Sequence, residues 1–338
     1  MPIALDPVAR AGWHPVALAS DLPLDAVRPA TLLGEDLVLW RGTDGPHAWQ
    51  DLCVHRGVQL SLGRVVDHCS LRCAYHGWTY NSSGQCIQMP AHPAMKPPAR
   101  AHTRTYPCLE HAGLLWVSLD PTLDEPRDIT TTPPDLGPPH LAELTDPAFR
   151  TLPCGPYPAP AGAPRLIENF LDVAHLPIVH QGTLGAADQP EILPYEVELV
   201  HGLPLARDIR LFQPNPEGHA RPALVSYEYG VLAPFTVYLR KHLPAHQCFT
   251  LLFTVAPLTE TLSHAFFTIL LNYGDPAQDA AVTAFQHHIF AQDLPIVSSQ
   301  RPERLPLDLA EELHLPSDRL AIAYRQYIRK LGLSFGTA

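Results

Sequence analysis

The chain lacks any run of lysine or arginine: 34 acidic residues outnumber 23 basic ones, and the formal net charge is −11. That balance argues against nucleic acid or an anionic membrane as partner. No stretch approaches the roughly 20 uninterrupted apolar residues that a membrane span requires. Met1 to Trp13 has neither a basic n-region nor an apolar h-region, so no secretory signal is expected. A soluble cytoplasmic protein is the resulting expectation. A disulfide framework is missing too. The seven cysteines, Cys53, Cys69, Cys73, Cys86, Cys108, Cys154 and Cys248, are an odd number spread over 338 residues. Reduced thiols or metal ligands suit that pattern better. Length and apolar content allow two domains, or one large one, around a buried core.

From Ala30 to about Cys53 the pattern is of short strands, with Thr43-Asp44-Gly45 as a hairpin turn between Leu37–Trp40 and Ala48–Leu52. Further strands are predicted at Leu71–Cys73, Trp78–Tyr80 and Leu114–Leu119, with a turn at Asn81–Gly84. This is an all-β unit over residues 1–120. Residues 121–164 are dense in proline, including Pro133-Pro134 and Pro138-Pro139, and read as an ordered connector that is neither regular helix nor central strand. Residues 165–338 read as an α+β domain. A helix over Arg165–Val179 and a flap-like loop over Gln181–Glu191 precede strands at Tyr195–Val200, Leu205–Phe212, Ala223–Val231, Thr236–Arg240, Cys248–Ala256 and Ser263–Asn272. Two helices close the chain. One runs from Pro276 to Ser298 after an Asp275 cap, the other from an N-cap at Ser317 to Leu331, with Gly332 at C′.

Two motifs in the β unit carry chemistry: Cys53-Val54-His55-Arg56-Gly57 and Cys73-Ala74-Tyr75-His76-Gly77-Trp78. Each half offers one sulfur and one nitrogen, whereas a zinc finger groups its cysteines apart from its histidines. Mixed pairs suit a [2Fe–2S] cluster with two thiolates on one iron and two neutral imidazoles on the other. Gly57 and Gly77 let the backbone pass close to such a cluster. Cys69 and Cys86 fall outside the pattern and read as small buried hydrophobes. The two motifs resemble the Rieske iron–sulfur signature.

A second constellation lies at Asn169-Phe170-Leu171-Asp172-Val173-Ala174-His175-Leu176-Pro177-Ile178-Val179-His180. Two imidazoles this close suggest a metal. On a helix Asp172 and His175 share a face, about 60° apart, while His175 and His180 diverge by about 140°. Pro177 between them must distort the helix, and that distortion can turn both rings toward one point. A facial triad also needs a carboxylate. Asp293, on the long helix just before Leu294-Pro295, is the choice; Asp275, Asp279 and Glu303 compete but sit at the helix start or beyond its end.

Together the Rieske pair, the N-x-x-D-x-x-H-x-x-x-x-H segment and the late Asp-x-Pro make the whole chain resemble the catalytic α subunit of a Rieske non-heme iron oxygenase. It is closest to the short vanillate-demethylase-like and saxitoxin-hydroxylase-like monooxygenases. Arg72-Cys73-Ala74-Tyr75-His76-Gly77-Trp78, Gln88-Met89-Pro90-Ala91-His92-Pro93 and Leu313-His314-Leu315-Pro316-Ser317-Asp318-Arg319 share in that resemblance. It implies a Rieske domain followed by a helix-grip domain of the START/Bet v1 kind. Cys53, His55, Cys73 and His76 would hold the cluster; His175, His180 and Asp293 would hold one mononuclear Fe(II). Asp172 would accept the other N–H of His175 and contact His76 of a neighbouring subunit in a head-to-tail homotrimer, and Asn169 would lie near the iron. NADH would supply electrons through a flavin/iron–sulfur reductase or a ferredoxin. The activity implied is monooxygenation, as hydroxylation or O- or N-demethylation, with ring cis-dihydroxylation as the alternative.

Tyr229, Tyr238, Phe253 and Phe267 are the candidate substrate contacts on the sheet, and Tyr227-Glu228-Tyr229-Gly230 is less polar than in the saxitoxin hydroxylases. A small aromatic substrate is therefore expected. Two rivals remain on the sequence. A Rieske electron carrier needs only about the first 110 residues, and a structural zinc protein would hold no reducible iron.

Overall fold

The computed structural model describes residues 6–120, 137–214, 222–243 and 246–338. The Pro133-Pro134 pair lies outside them. The chain divides into two compact units, Met1–Pro138 and Pro139–Ala338. Among the described residues no helix is long and apolar enough to cross a membrane.

After a short helix α1 (Pro7–Ala11), the first unit is built from β1 (Trp13–Leu18), β2 (Val27–Leu32), β3 (Glu35–Gly42), β4 (Gly45–Gln50), β5 (Arg64–Val66), β6 (Ser70–Arg72), β7 (Thr79–Asn81), β8 (Cys86–Gln88), β9 (Thr105–Tyr106), β10 (Cys108–His111) and β11 (Leu114–Ser118). They form antiparallel sheets in the orders β1-β11-β10, β2-β3-β4-β9 and β5-β6-β7-β8. The two predicted hairpins form where the turn chemistry places them. Gly42 pairs with Gly45 across Thr43-Asp44. At the second turn Asn81 Oδ1 accepts from the Gln85 N–H at 3.0 Å, and Gly84 adopts φ +83°. Val38, Trp40, Trp49, Leu60, Leu71 and Tyr80 form a core that also encloses Cys53, Cys73 and Cys86. Cys69 is exposed, contrary to expectation. It ends the turn after β5, where Asp67 and His68 both adopt positive φ and carry the chain out of the core.

In the second unit β12 (Arg150–Ala159), β13 (Val197–Val200), β14 (Leu203–Gln213), β15 (Ala223–Ala233), β16 (Thr236–His242), β17 (Cys248–Pro257) and β18 (Ser263–Leu271) make one antiparallel sheet, ordered β12-β18-β17-β16-β15-β14-β13. The unit is α+β, as predicted. The division at Pro138 and the strand β12 show that the expected connector over 121–164 reaches too far: Arg150–Ala159 is strand and α2 begins at Ala163. Proline density misled because Pro153, Pro156 and Pro158 sit on an edge strand, where a missing N–H costs no ladder bond.

Helices α2 (Ala163–Leu171), α3 (Leu176–Val179), α4 (Asp279–Val297) and α5 (Arg319–Leu331) complete the unit. Asp275 does cap the approach to α4, accepting from the Ala277 N–H in the preceding 3-10 turn. Gly332 ends α5 at φ +78°. Ser317 is not its cap. It lies inside a 3-10 turn whose start is closed by Asp318 Oδ2 accepting from the Leu315 N–H at 2.7 Å.

Helix α2 packs on β16 and β17 and against α4 and α5. A buried ionic lattice fixes it there. Arg325 on α5 grips Glu168 through two hydrogen bonds of 2.5 and 2.9 Å and also reaches Glu312, which Arg165 meets at 2.9 Å. Both arginine side chains are 2–3% exposed, so removing one partner strands a buried charge. Arg325→Met is therefore expected to destabilise the second unit by about 3–5 kcal/mol. Urea denaturation followed by circular dichroism measures this; a loss below about 1 kcal/mol would show that the lattice is dispensable.

Candidate metal centres

The histidine-bearing segment is not one distorted helix. Helix α2 stops at Leu171, and Asp172 leaves it with ψ 117°. The Asp172 Oδ1 atom accepts from the Ala174 N–H at 2.7 Å, closing a tight turn. The chain then restarts as α3, with Pro177 in its first turn. A continuous helix would need an N–H from Pro177 and would drive its ring into the Val173 carbonyl; a restart leaves that position with nothing to donate to. Asp172 and His175 consequently share no helix face. The break does what Pro177 was expected to do, four residues earlier: the His175 and His180 rings converge to 5.1 Å between centroids.

Helix α4 brings Asp293 to the same point. Asp293 Oδ1 lies 3.6 Å from His175 Nε2 and 3.1 Å from His180 Nε2. Among the described residues these three are the one group offering three ligand atoms within 4.8 Å of one another. His180 and Asp293 are 1% and 7% exposed, and Asp293 Oδ1 is buried without a hydrogen-bond donor. Burial works against a charged His180 ring, yet contact with Asp293 and Gln292 outweighs it and raises its pKa above the ordinary value. The pocket thus favours positive charge, and two imidazoles with one carboxylate suit a ferrous ion. The competitors are occupied elsewhere. Asp275 caps its turn, Asp279 pairs with Arg150 at 3.1 Å, and exposed Glu303 faces Arg301.

Around this point Asp172 Oδ2 stands 3.6 Å from His175 Nδ1, beyond hydrogen-bond reach, and Nδ1 has no hydrogen-bond partner. Asn169 is half-buried on the last turn of α2. Beside it Phe170 stacks on Phe253 at 5.0 Å and meets Tyr229 edge-on at 5.9 Å. Phe253 stacks in turn on Phe267 at 4.6 Å, and Phe290, one turn before Asp293, closes on Phe267 at 5.4 Å. Three of the four expected aromatics therefore share one wall. Tyr238 does not. It pairs with Leu252 on the opposite sheet face, in a cluster with Leu141, Leu205 and Leu270, and its hydroxyl donates to Glu228 at 2.8 Å. One residue of register separates the two faces, so its neighbour Val237 is the one opposite Phe253. The loop expected as a flap is tied to the sheet, with the Leu184 carbonyl accepting from Gln213 at 3.1 Å.

In the first unit, each ligand motif is a turn closed on its own cysteine. The Gly57 N–H donates to the Cys53 carbonyl at 2.8 Å, and the Gly77 N–H donates to that of Cys73 at 3.2 Å. Both glycines adopt φ +70°, so they are needed for left-handed backbone more than for clearance, although a Cβ on Gly77 would also press Pro90 at 3.0 Å. The thiols are buried, while His55 is half-buried and His76 exposed. The two rings lie 4.5 Å apart, and Trp78 stacks on His55 at 4.4 Å. Burial and the nearby Cys53 raise the Cys73 thiol, while burial, His76 and Arg56 keep His55 below the usual imidazole range. His55 Nδ1 is buried with no hydrogen-bond partner. Two buried thiols and two imidazole rings 4.5 Å apart fit a cluster with a sulfur-bound and a nitrogen-bound iron.

Comparison with known proteins gives each unit a family. Residues 12–107 match the Rieske [2Fe-2S] domain, and residues 159–334 match the vanillate O-demethylase oxygenase C-terminal domain. The chain is 30% identical over 331 residues to methylxanthine N1-demethylase NdmA of Pseudomonas putida, covering 94% of this chain and 88% of that protein. The chain belongs to the Rieske non-heme iron oxygenases, as a catalytic α subunit. Methylxanthine N3-demethylase NdmB of the same organism is 29% identical across 95% of the oxygenase and 89% of its own length. The solved structure of Pseudomonas putida CBB5 NdmA superposes with a TM-score of 0.79 at 28% identity, over 95% of this oxygenase and 90% of that chain. A 119-residue stretch, 35% of this chain, is 43% identical to part of the oxidoreductase NdmD of Pseudomonas putida, covering 20% of that protein. The protein is thus an oxidoreductase, the terminal oxygenase of a system that monooxygenates small organic molecules.

Several residues of the oxygenase escaped the sequence reading. Gln286 lies buried on α4 two turns before Asp293 on the same face, and that spacing was a usable signal; Gln292, adjacent to Asp293, gave none. Tyr80 left none. Its hydroxyl lies 3.2 Å from Cys53 Sγ only because β7 folds over the cysteine turn. Toward a ligating thiolate that hydroxyl donates, which favours the reduced cluster. Tyr80→Phe is expected to lower the cluster potential by something on the order of tens of mV. Spectroelectrochemical titration of the visible bands reads it, and an unchanged potential would mean that the contact does not tune the cluster.

Proposed function

We propose that this oxygenase N-demethylates a planar, N-methylated heteroaromatic molecule at a ferrous ion held by His175, His180 and Asp293. The observation that carries the reading is the convergence of those three side chains beside a wall of stacked phenyl rings. Full-length similarity to two methylxanthine demethylases supports it. Bound there, Fe(II) supplies the oxygen activation that a protein side chain cannot. The balance is N–CH3 plus O2, two electrons and two protons, giving N–CH2OH and water; the hydroxymethyl group then leaves as formaldehyde, and N–H remains.

The half-buried ring of Phe170, backed by Phe253 and Phe267, would offer a flat face against which an aromatic ring stacks. Tyr229 bounds the same wall, and the apolar lining excludes water. Buried Gln286 offers an amide able to meet a ring carbonyl or ring nitrogen. Asn169, half-buried on the last turn of α2, would lie near the iron. Electrons come from NADH through a reductase, a partner that the NdmD similarity supports, and a cytoplasmic setting supplies both. A head-to-tail homotrimer would put the exposed His76 edge of one subunit's cluster against a neighbour's Asp172. Asp172 suits that bridge because its second carboxylate oxygen makes no hydrogen bond to His175.

An oxygen-uptake screen with NADH and a surrogate reductase tests the substrate class. Formaldehyde equimolar with NADH consumed is expected from N-methylated purines. Formaldehyde from methoxyarenes alone would contradict it, and a cis-diol product would favour ring dihydroxylation. His180→Ala is expected to keep the cluster's visible spectrum and lose the mononuclear iron in metal analysis. Asp172→Asn, which keeps the oxygen that closes the turn, should keep both metals while turnover falls by about 100-fold or more. Wild-type turnover in that variant would refute the bridge.

A further inference from the structure

We propose that Gln292 is the positioning residue that fixes how His180 presents its Nε2 atom to the metal. The inference rests on the iron site proposed above and concerns what holds that site in shape. Gln292 and Asp293 are consecutive on α4, about 100° apart around the axis. Between them they bracket one imidazole. Asp293 Oδ1 lies 3.1 Å from His180 Nε2, and Gln292 Oε1 lies 2.8 Å from Nδ1. A carbonyl oxygen can only accept, so it places the ring proton on Nδ1 and leaves the Nε2 lone pair for a cation.

The amide is itself oriented. Gln292 Nε2 stands 3.3 Å from Nε2 of His288, one helical turn earlier, and donates to it. With its nitrogen engaged there, the amide keeps its oxygen toward His180. The other histidine is held differently. His175 Nδ1 has no hydrogen-bond partner, and the nearest carboxylate oxygen, from Asp172, is 3.6 Å away. His180 is therefore the anchored ligand and His175 the adaptable one, free to follow whatever Asp172 contacts.

The test uses full-length protein with its cluster intact. Anaerobic Fe(II) binding is measured by chelator competition, and the electron paramagnetic resonance of the nitric oxide adduct reports ligand geometry. Gln292→Met removes the acceptor at nearly constant size and should weaken Fe(II) by about 10–100-fold, with an altered line shape. Gln292→Glu keeps an acceptor oxygen but loses the donor to His288, so it should weaken Fe(II) no more than His288→Ala does. His288 is exposed, so His288→Ala spares folding; it should weaken Fe(II) to a lesser degree and decides the matter if Gln292→Met does not fold. Wild-type affinity in Gln292→Met, or equal losses in the Met and Glu variants, would overturn the role of Gln292 alone. A wild-type protein that binds no Fe(II) beyond its cluster would remove the iron site, and this inference with it.

Discussion

The geometry of the second unit depends on a break in the chain at Asp172-Val173-Ala174. Had α2 continued, Pro177 would have clashed with the turn before it, and His175 and His180 would have pointed apart. The Asp172 side chain closes the break by accepting from the Ala174 N–H, and α3 restarts with proline where proline is tolerated. Everything else in the site is arranged to meet the two rings. Helix α4 delivers Asp293 to them, and the buried lattice of Arg325, Glu168, Arg165 and Glu312 holds α2 against the sheet. The same carboxylate that closes the break faces His175, so chain direction and ligand environment are set by one residue.

The first unit solves a different problem. A cluster that passes electrons outward needs its thiolates screened and its far end accessible. Cys53 and Cys73 are enclosed in the core with Trp40, Trp49 and Tyr80, whereas His76 reaches solvent and His55 lies under Trp78. Nitrogen ligands in place of two thiolates, and a hydroxyl near one sulfur, would both favour accepting an electron. The exposed imidazole edge is then the natural exit.

Much of this was legible in the residues. The Cys-x-His and Cys-x-x-His spacing pointed to the Rieske domain, alternation and turn residues pointed to most strands, and the Asp before Leu-Pro on α4 picked out the carboxylate that meets the two imidazoles. What failed did so for physical reasons. Proline density hid β12 because an edge strand tolerates what a central strand does not. Tyr238 was misplaced because period-2 geometry makes neighbours face opposite ways, and which parity faces inward is set by the helices laid on the sheet. Cys69 was lost to a turn with two residues at positive φ. Gln292 and Tyr80 could be understood only after distant segments had met.

The most direct test is Mössbauer spectroscopy of the reduced protein produced in 57Fe-enriched medium and then saturated with 57Fe(II) under anaerobic conditions. The account predicts a cluster pair plus a separate high-spin ferrous doublet, in a 2:1 ratio of iron. A spectrum containing the cluster alone, in protein saturated with Fe(II), would contradict the claim that His175, His180 and Asp293 hold a metal.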